Sequence, residues 1–155
     1  MNKFYYADSS SLVKRHVAEV GSAWIKNEFD AAGGNIIITA KLSIVEVLSA
    51  LNRRQREATL AAADYQDIFK EFLEAVELEY QIVDLTDAVL LESKRLLELY
   101  PLRAGDAVQL ASAVVSQNIL SSKKLPTLTF LASDVRLLDA AKSEGLTTDD
   151  PPNHP

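Results

Sequence analysis

An α/β fold built on a parallel sheet is expected from three features of the chain. Short β-rich runs alternate with segments of helical length from one end to the other. Two of the runs, "NIIITA" and "TLTFLAS", are apolar almost without interruption, as strands covered on both faces are. No repeat, low-complexity stretch or linker divides the 155 residues, so a single domain is expected over 1–148, with a flexible tail at 149–155.

The elements read in order as follows. "KFYYA" is a short aromatic strand, and "DSSSLVKRHVAEV" is a helix opened by strong capping residues. "GSAWIKNEFDAAGG" is a second helix, capped by Ser22 and stopped by Gly33 and Gly34. After the buried strand "NIIITA", "KLSIVEVLSALNRRQREA" carries Ile44, Val47, Leu48 and Leu51 on one helical face. "TLAAADYQDIFKEFLEAVELE" repeats that spacing with Tyr65, Ile68, Phe69, Phe72 and Val76, and the two form a helical hairpin beside the sheet. The stripe of Ile68, Phe72 and Val76 reads as core in preference to interface. "YQIVDL" is a strand, "TDAVLLESKRLLELY" a helix capped by Thr86, and "PLRAGDAVQLASAVVSQNILSS" an apolar helix whose only acid, Asp106, sits near its start. A helix without charge on any face is buried on most sides. "TLTFLAS" and "DVRLLDAAKSEG" close the pattern with a strand and a helix. The tail "TTDDPPNHP" carries three prolines and is expected to be unstructured.

Composition narrows the chemistry. The chain is 48% hydrophobic and 25% charged, ordinary for a globular protein. No apolar run approaches ~20 residues and the first residues lack a signal-peptide core, so a cytoplasmic protein without a membrane segment is expected. With no cysteine and two histidines, His16 and His154, thiolate chemistry and His-rich zinc sites are excluded. Any metal must be held by oxygen, which favours Mg²⁺, Mn²⁺ or Ca²⁺. The net charge of −6 speaks against nucleic acid at first sight, but phosphate contacts come from local patches. Three exist: "VKRH", "NRRQR" and "KK", each equally readable as a solvated face.

Among 22 acidic residues, position separates four. Asp8 and Asp134 stand where a strand ends and a helix begins, and Asp106 opens the charge-free helix. In open α/β sheets ligands gather outside the carboxyl ends of the strands. Asp8 and Asp134 are also ordinary N-caps, and Asp106 suits a helix dipole. Glu46 lies opposite the Ile44/Leu48/Leu51 face, beside Ser49, Ala50 and Arg53, where a solvent-facing glutamate is the plain account. Carboxylates brought together repel unless a cation neutralises them, and a hard divalent ion does so with oxygen ligands.

"YYADSSSLVKRHVAE", "SIVEVLSAL", "LRAGDAVQLASA" and "FLASDVRLLDAAKSEGL", in this order, resemble the PIN-domain proteins of the VapC toxin type. The resemblance implies a short parallel sheet flanked by helices with a helical hairpin. It implies a metal-dependent endoribonuclease in which Asp8, Glu46, Asp106 and Asp134 hold one or two Mg²⁺ or Mn²⁺ ions. Ser10 and Arg103 match positions that line such a site. Lys14, Arg15 and Arg53 are candidates for contacts to RNA. An RNA substrate, a small antitoxin and a second copy of the chain are the implied partners. Gly105 departs from the pattern, since many relatives carry a larger residue there, and the additional acid of some PIN domains is not evident. Two rivals stand beside this reading. One is a PIN-like module that binds RNA or protein without cutting. The other is a phosphoryl-transfer enzyme with Asp8 as nucleophile, disfavoured because Ser10 occupies the place of its usual second aspartate.

Overall fold

The computed structural model describes residues 1–155. Strand β1 (Phe4–Ala7) leads into helices α1 (Ser9–His16) and α2 (Ser22–Glu28), then β2 (Ile36–Ala40). Helices α3 (Lys41–Arg56) and α4 (Ala62–Leu78) form the hairpin before β3 (Tyr80–Val83). Helices α5 (Asp87–Leu99) and α6 (Ala104–Ser122) precede β4 (Leu128–Leu131), and α7 (Val135–Ser143) precedes β5 (Thr147–Asp149). All neighbouring strands are parallel, in the order β3-β2-β1-β4-β5. The α/β class, the parallel sheet and the hairpin are as the sequence predicts.

Alternation along each strand divides the core in two. Tyr5 and Ile37 face one side, against Leu12, Val47, Leu51 and Phe72 of α1, α3 and α4. Tyr6, Ile38 and Phe130 face the other, against Val89, Leu96, Leu110 and Leu137 of α5, α6 and α7. Tyr6 and Phe130 stack on neighbouring strands with centroids 5.4 Å apart. Of the stripe on α4, Phe72 is fully buried, as core predicts. The uncharged face count of α6 is explained too: Ala107, Leu110, Ala111 and Ala113 are completely inaccessible. No helix is long and apolar enough to cross a membrane.

Chain order reverses about β1, which has β2 on one side and β4 on the other. Such a reversal opens a crevice at the carboxyl ends of the central strands. Asp8 is the first residue beyond β1, and its N–H still bonds the Leu131 carbonyl of β4 at 3.1 Å. The topology therefore carries Asp8 to the centre of that rim.

The tail differs from expectation. Thr147–Asp149 form a fifth strand on β4, and Pro151–Asn153 make a 3₁₀ turn with Pro151 buried. His154 stacks on Trp24 at 4.1 Å and bonds the Asp149 carboxylate at 2.9 Å. Prolines bar helix propagation, but their fixed φ suits the first position of a tight turn, and an edge strand of three residues needs little sequence signal. Gly21 makes room for this packing. Its φ is +89°, and a Cβ there would fall 2.5 Å from the Pro151 carbonyl oxygen. Gly21, not Ser22, holds the N-cap position of α2. The Ser22 hydroxyl instead donates to the Val17 carbonyl and accepts from Glu19 N–H, closing the α1–α2 turn. Helix α2 stops at Glu28, before the glycines, because Asp30 caps a separate 3₁₀ turn through Ala32 N–H.

Candidate functional site

Asp8 begins the site. As the N-cap of α1 its Oδ1 accepts from Ser11 N–H at 3.0 Å and from the Ser10 hydroxyl at 2.7 Å. The residue is only 6% exposed. Burial pushes its carboxyl up to about 6, with the Glu46 charge adding to the rise and the serine bonds opposing it. At neutral pH Asp8 is thus mostly an anion, taken out of water and held by hydroxyl and amide dipoles alone.

Glu46 is half-buried and turned into the seam between α3 and α6. Gln109 Nε2 donates to its Oε1 at 2.6 Å. A Cβ at Gly105 would come within 3.3 Å of its Oε2. The solvent-facing account of Glu46 is therefore set aside. Gln109, itself buried, also donates to Ser43 Oγ at 2.8 Å and accepts from the Tyr6 hydroxyl at 2.7 Å. The Thr39 hydroxyl shares a 2.7 Å bond with Ser43 and donates to the Ala7 carbonyl, one residue before Asp8. A continuous buried polar chain thus runs from the end of β1 to the Glu46 carboxylate. Each member is satisfied, which rigidifies such a network.

Asp106 lies in the first turn of α6, half-buried, one residue beyond the glycine that touches Glu46. Asp134 caps α7, its Oδ1 accepting from Arg136 N–H at 2.9 Å and Leu137 N–H at 3.3 Å. The structure brings Asp8 and Glu46 within mutual electrostatic influence, and Asp106 follows Gly105, the α6 residue that faces Glu46. It does not gather three acidic side chains into a cluster arranged to hold an ion. Asp134 uses one carboxylate oxygen, Oδ1, for its cap.

The predicted basic residues divide. Arg53 and Lys14 line a cavity of about 480 Å³ together with Ser9, Ser10, Glu46 and Ser49. Arg15 does not belong there. Its guanidinium bonds the Tyr80 hydroxyl and the Glu79 carboxylate and borders a separate cavity with Lys26 and Glu71, because a helical step of one residue turns it about 100° from Lys14. Arg103 is exposed at the N-cap position of α6 and makes no capping bond. Ser10 donates its hydroxyl to Asp8 Oδ1 and lines the same cavity as Lys14 and Arg53.

The sequence model of the PIN domain matches residues 5–142, nearly the whole chain. The chain belongs to the PIN-domain family. Its fold is shared, at low identity, by three solved structures. VapBC2 from Rickettsia felis, bound to a DNA fragment from its promoter, matches with TM-score 0.62 and 11% identity over 95% of this chain and 98% of that one. PAE2754 from Pyrobaculum aerophilum matches with TM-score 0.61 and 18% identity over 99% and 95%. FitAcB from Neisseria gonorrhoeae matches with TM-score 0.62 and 10% identity over 95% and 97%. No curated protein matches the sequence.

The donors of this PIN domain suit a hard divalent cation. They are carboxylates and hydroxyls only, and Asp8 is a buried anion with no cationic side chain bonded to it. Sequence reasoning missed Gln109, the residue that orients Glu46. Its signal was present: an amide at i+3 from Asp106 in an otherwise apolar helix must find partners once buried. Thr39 and Ser43 gave less warning, since small hydroxyls are common at strand ends and in helices.

Proposed function

We propose that this PIN domain is a Mg²⁺- or Mn²⁺-dependent endoribonuclease, the toxin of a toxin–antitoxin pair. The observation that carries the reading is Asp8: a buried carboxylate at the centre of the sheet rim that feels the charge of Glu46, which with Ser9 and Ser10 lines a cleft carrying Lys14, Arg53 and Arg54. Asp8, Glu46 and Asp106 would hold the ion, with Asp134 as a further ligand. A bound divalent cation supplies Lewis acidity and a water of lowered pKa for phosphodiester hydrolysis.

The chain's own residues supply the rest. Ser10 and Ser11 fix the Asp8 oxygens, and Gln109 fixes Glu46, so the acids are oriented before any ligand arrives. Lys14 and Arg53 offer charge to the phosphates on either side of the reacting one. The likeness to VapBC2 and FitAcB supports a small antitoxin as partner, while a homodimer and action in the cytoplasm rest on the resemblance to VapC toxins alone.

A second reading is favoured by one feature, the want of three gathered carboxylates. It is a PIN-like module that binds RNA or protein without cutting. Incubation of defined single-stranded RNAs with Mn²⁺ or Mg²⁺ separates the two. Cleavage that stops in chelator and falls about 100-fold or more in Asp106→Asn is the expected result. Binding without cleavage under every metal condition supports the module instead.

A further inference from the structure

We propose that Lys14 and Arg54 form a phosphate-binding subsite for the RNA backbone, and that Glu19 is the internal anion that fills it until RNA arrives. This rests on the ribonuclease reading of the cleft. Lys14 is nearly as buried as Asp8, at 7% exposure. A buried cation needs an anion. Its partner is Glu19, from the turn between α1 and α2: Oε2 lies 3.2 Å from Lys14 Nζ, while Oε1 accepts from Arg54 Nη2 at 2.8 Å. One carboxylate thus bridges cations from α1 and α3.

The bridge lies on the wall of the cleft that holds Glu46. Glu19, Lys14 and Arg54 line the same cavity of about 480 Å³ as Glu46, Ser9, Ser10 and Ser49. The cleft therefore holds both the Glu46 carboxylate and the cations Lys14, Arg53 and Arg54. A phosphodiester strand with one phosphate at the carboxylates needs cations for its neighbour, and these are placed for it. A carboxylate and a phosphodiester present the same pair of anionic oxygens to an arginine fork and a lysine. The Glu19 side chain is 28% exposed, so solvent and an incoming anion reach it. Its backbone stays fixed, because Ser22 Oγ accepts from Glu19 N–H and donates to Val17 independently of the carboxylate.

The test reads binding apart from cleavage. A labelled octauridylate is titrated in chelator with wild type, Glu19→Gln, Lys14→Gln and Arg54→Gln, at several salt concentrations, with melting curves to establish folding. Glu19→Gln is expected to bind about three- to tenfold more tightly, since it removes the competing anion. Arg54→Gln and Lys14→Gln bind more weakly, and each lowers the slope of log K against log salt by about 0.7, the contribution of one single-strand phosphate. A purely structural tether would lower melting temperatures without changing that slope. Folded Glu19→Gln that binds no better than wild type overturns the subsite, as does an unchanged salt slope in Arg54→Gln. If wild type cleaves RNA with Mn²⁺ under either result, the subsite alone falls; if no form binds or cleaves RNA, the ribonuclease reading falls with it.

Discussion

Asp8 is asked to be ionised where ionisation is unfavourable. Its carboxyl is raised to about 6 in the folded protein, mainly by burial, from an ordinary value near 3.8. The folded state therefore holds the proton more tightly than the unfolded one across that interval. Stability contributed by protonated Asp8 is present below about pH 4 and is lost as pH rises toward 6 and beyond, at a cost on the order of 3 kcal/mol. Asp8→Asn keeps a good N-cap and removes the charge. In chelator at pH 7.5 it should melt higher than wild type, and the gain should vanish near pH 4; cleavage should be lost. Thermal melts across that pH range check the sign. Gln109 gives a second prediction. Gln109→Leu leaves Glu46 unoriented and the Tyr6 hydroxyl unpaired, so cleavage should fall roughly 10- to 100-fold, as when a ligand loses its outer support. Steady-state rates of the folded variant decide it. At this scale Asp8 and Asp134 were legible from strand–helix junctions, and Asp106 as the only acid of an otherwise apolar helix. The orientation of Glu46 was not, because helical periodicity says which face a residue occupies but not which neighbouring element covers that face.

At the scale of elements, two glycines control how neighbours approach. Gly105 lets α6 lie against Glu46, where an added Cβ would stand 3.3 Å from Oε2 and force a shift of a few tenths of an ångström. Gly105→Ala should leave the melting temperature within a few degrees of wild type while lowering cleavage, which paired melts and rate measurements resolve. Gly21 is less tolerant. A side chain there meets the Pro151 carbonyl at 2.5 Å in a left-handed conformation, so Gly21→Ala should destabilise by about 1–3 kcal/mol and loosen the C-terminal turn. Denaturant unfolding, together with Trp24 fluorescence as a report on the His154 stack, checks both effects. The helices and four of the strands announced themselves through period and caps. Strand β5 and the Pro151 turn did not, because three residues give no periodicity and their order comes from docking onto β4, Gly21 and Trp24. Lys14 and Arg15 teach the same lesson: adjacent in one basic patch, they serve different cavities.

Across the whole molecule, the parallel sheet does one thing for function. Reversal of chain order about β1 sets Asp8 at the middle of the rim, α3 brings Glu46 from one layer and α6 brings Asp106 from the other. The polar chain through Gln109 joins the end of β1 and the start of α3 to α6, and ends on Glu46. On the proposed reading, a cation of double positive charge bound at the rim would relieve the repulsion between Asp8 and Glu46. Calorimetric titration of Mn²⁺ into wild type and Asp106→Asn, at neutral pH and without RNA, tests this directly. Saturable binding to wild type that is abolished or weakened at least tenfold in the folded variant is the expected result. Equal binding to both, or no binding to wild type, would contradict it.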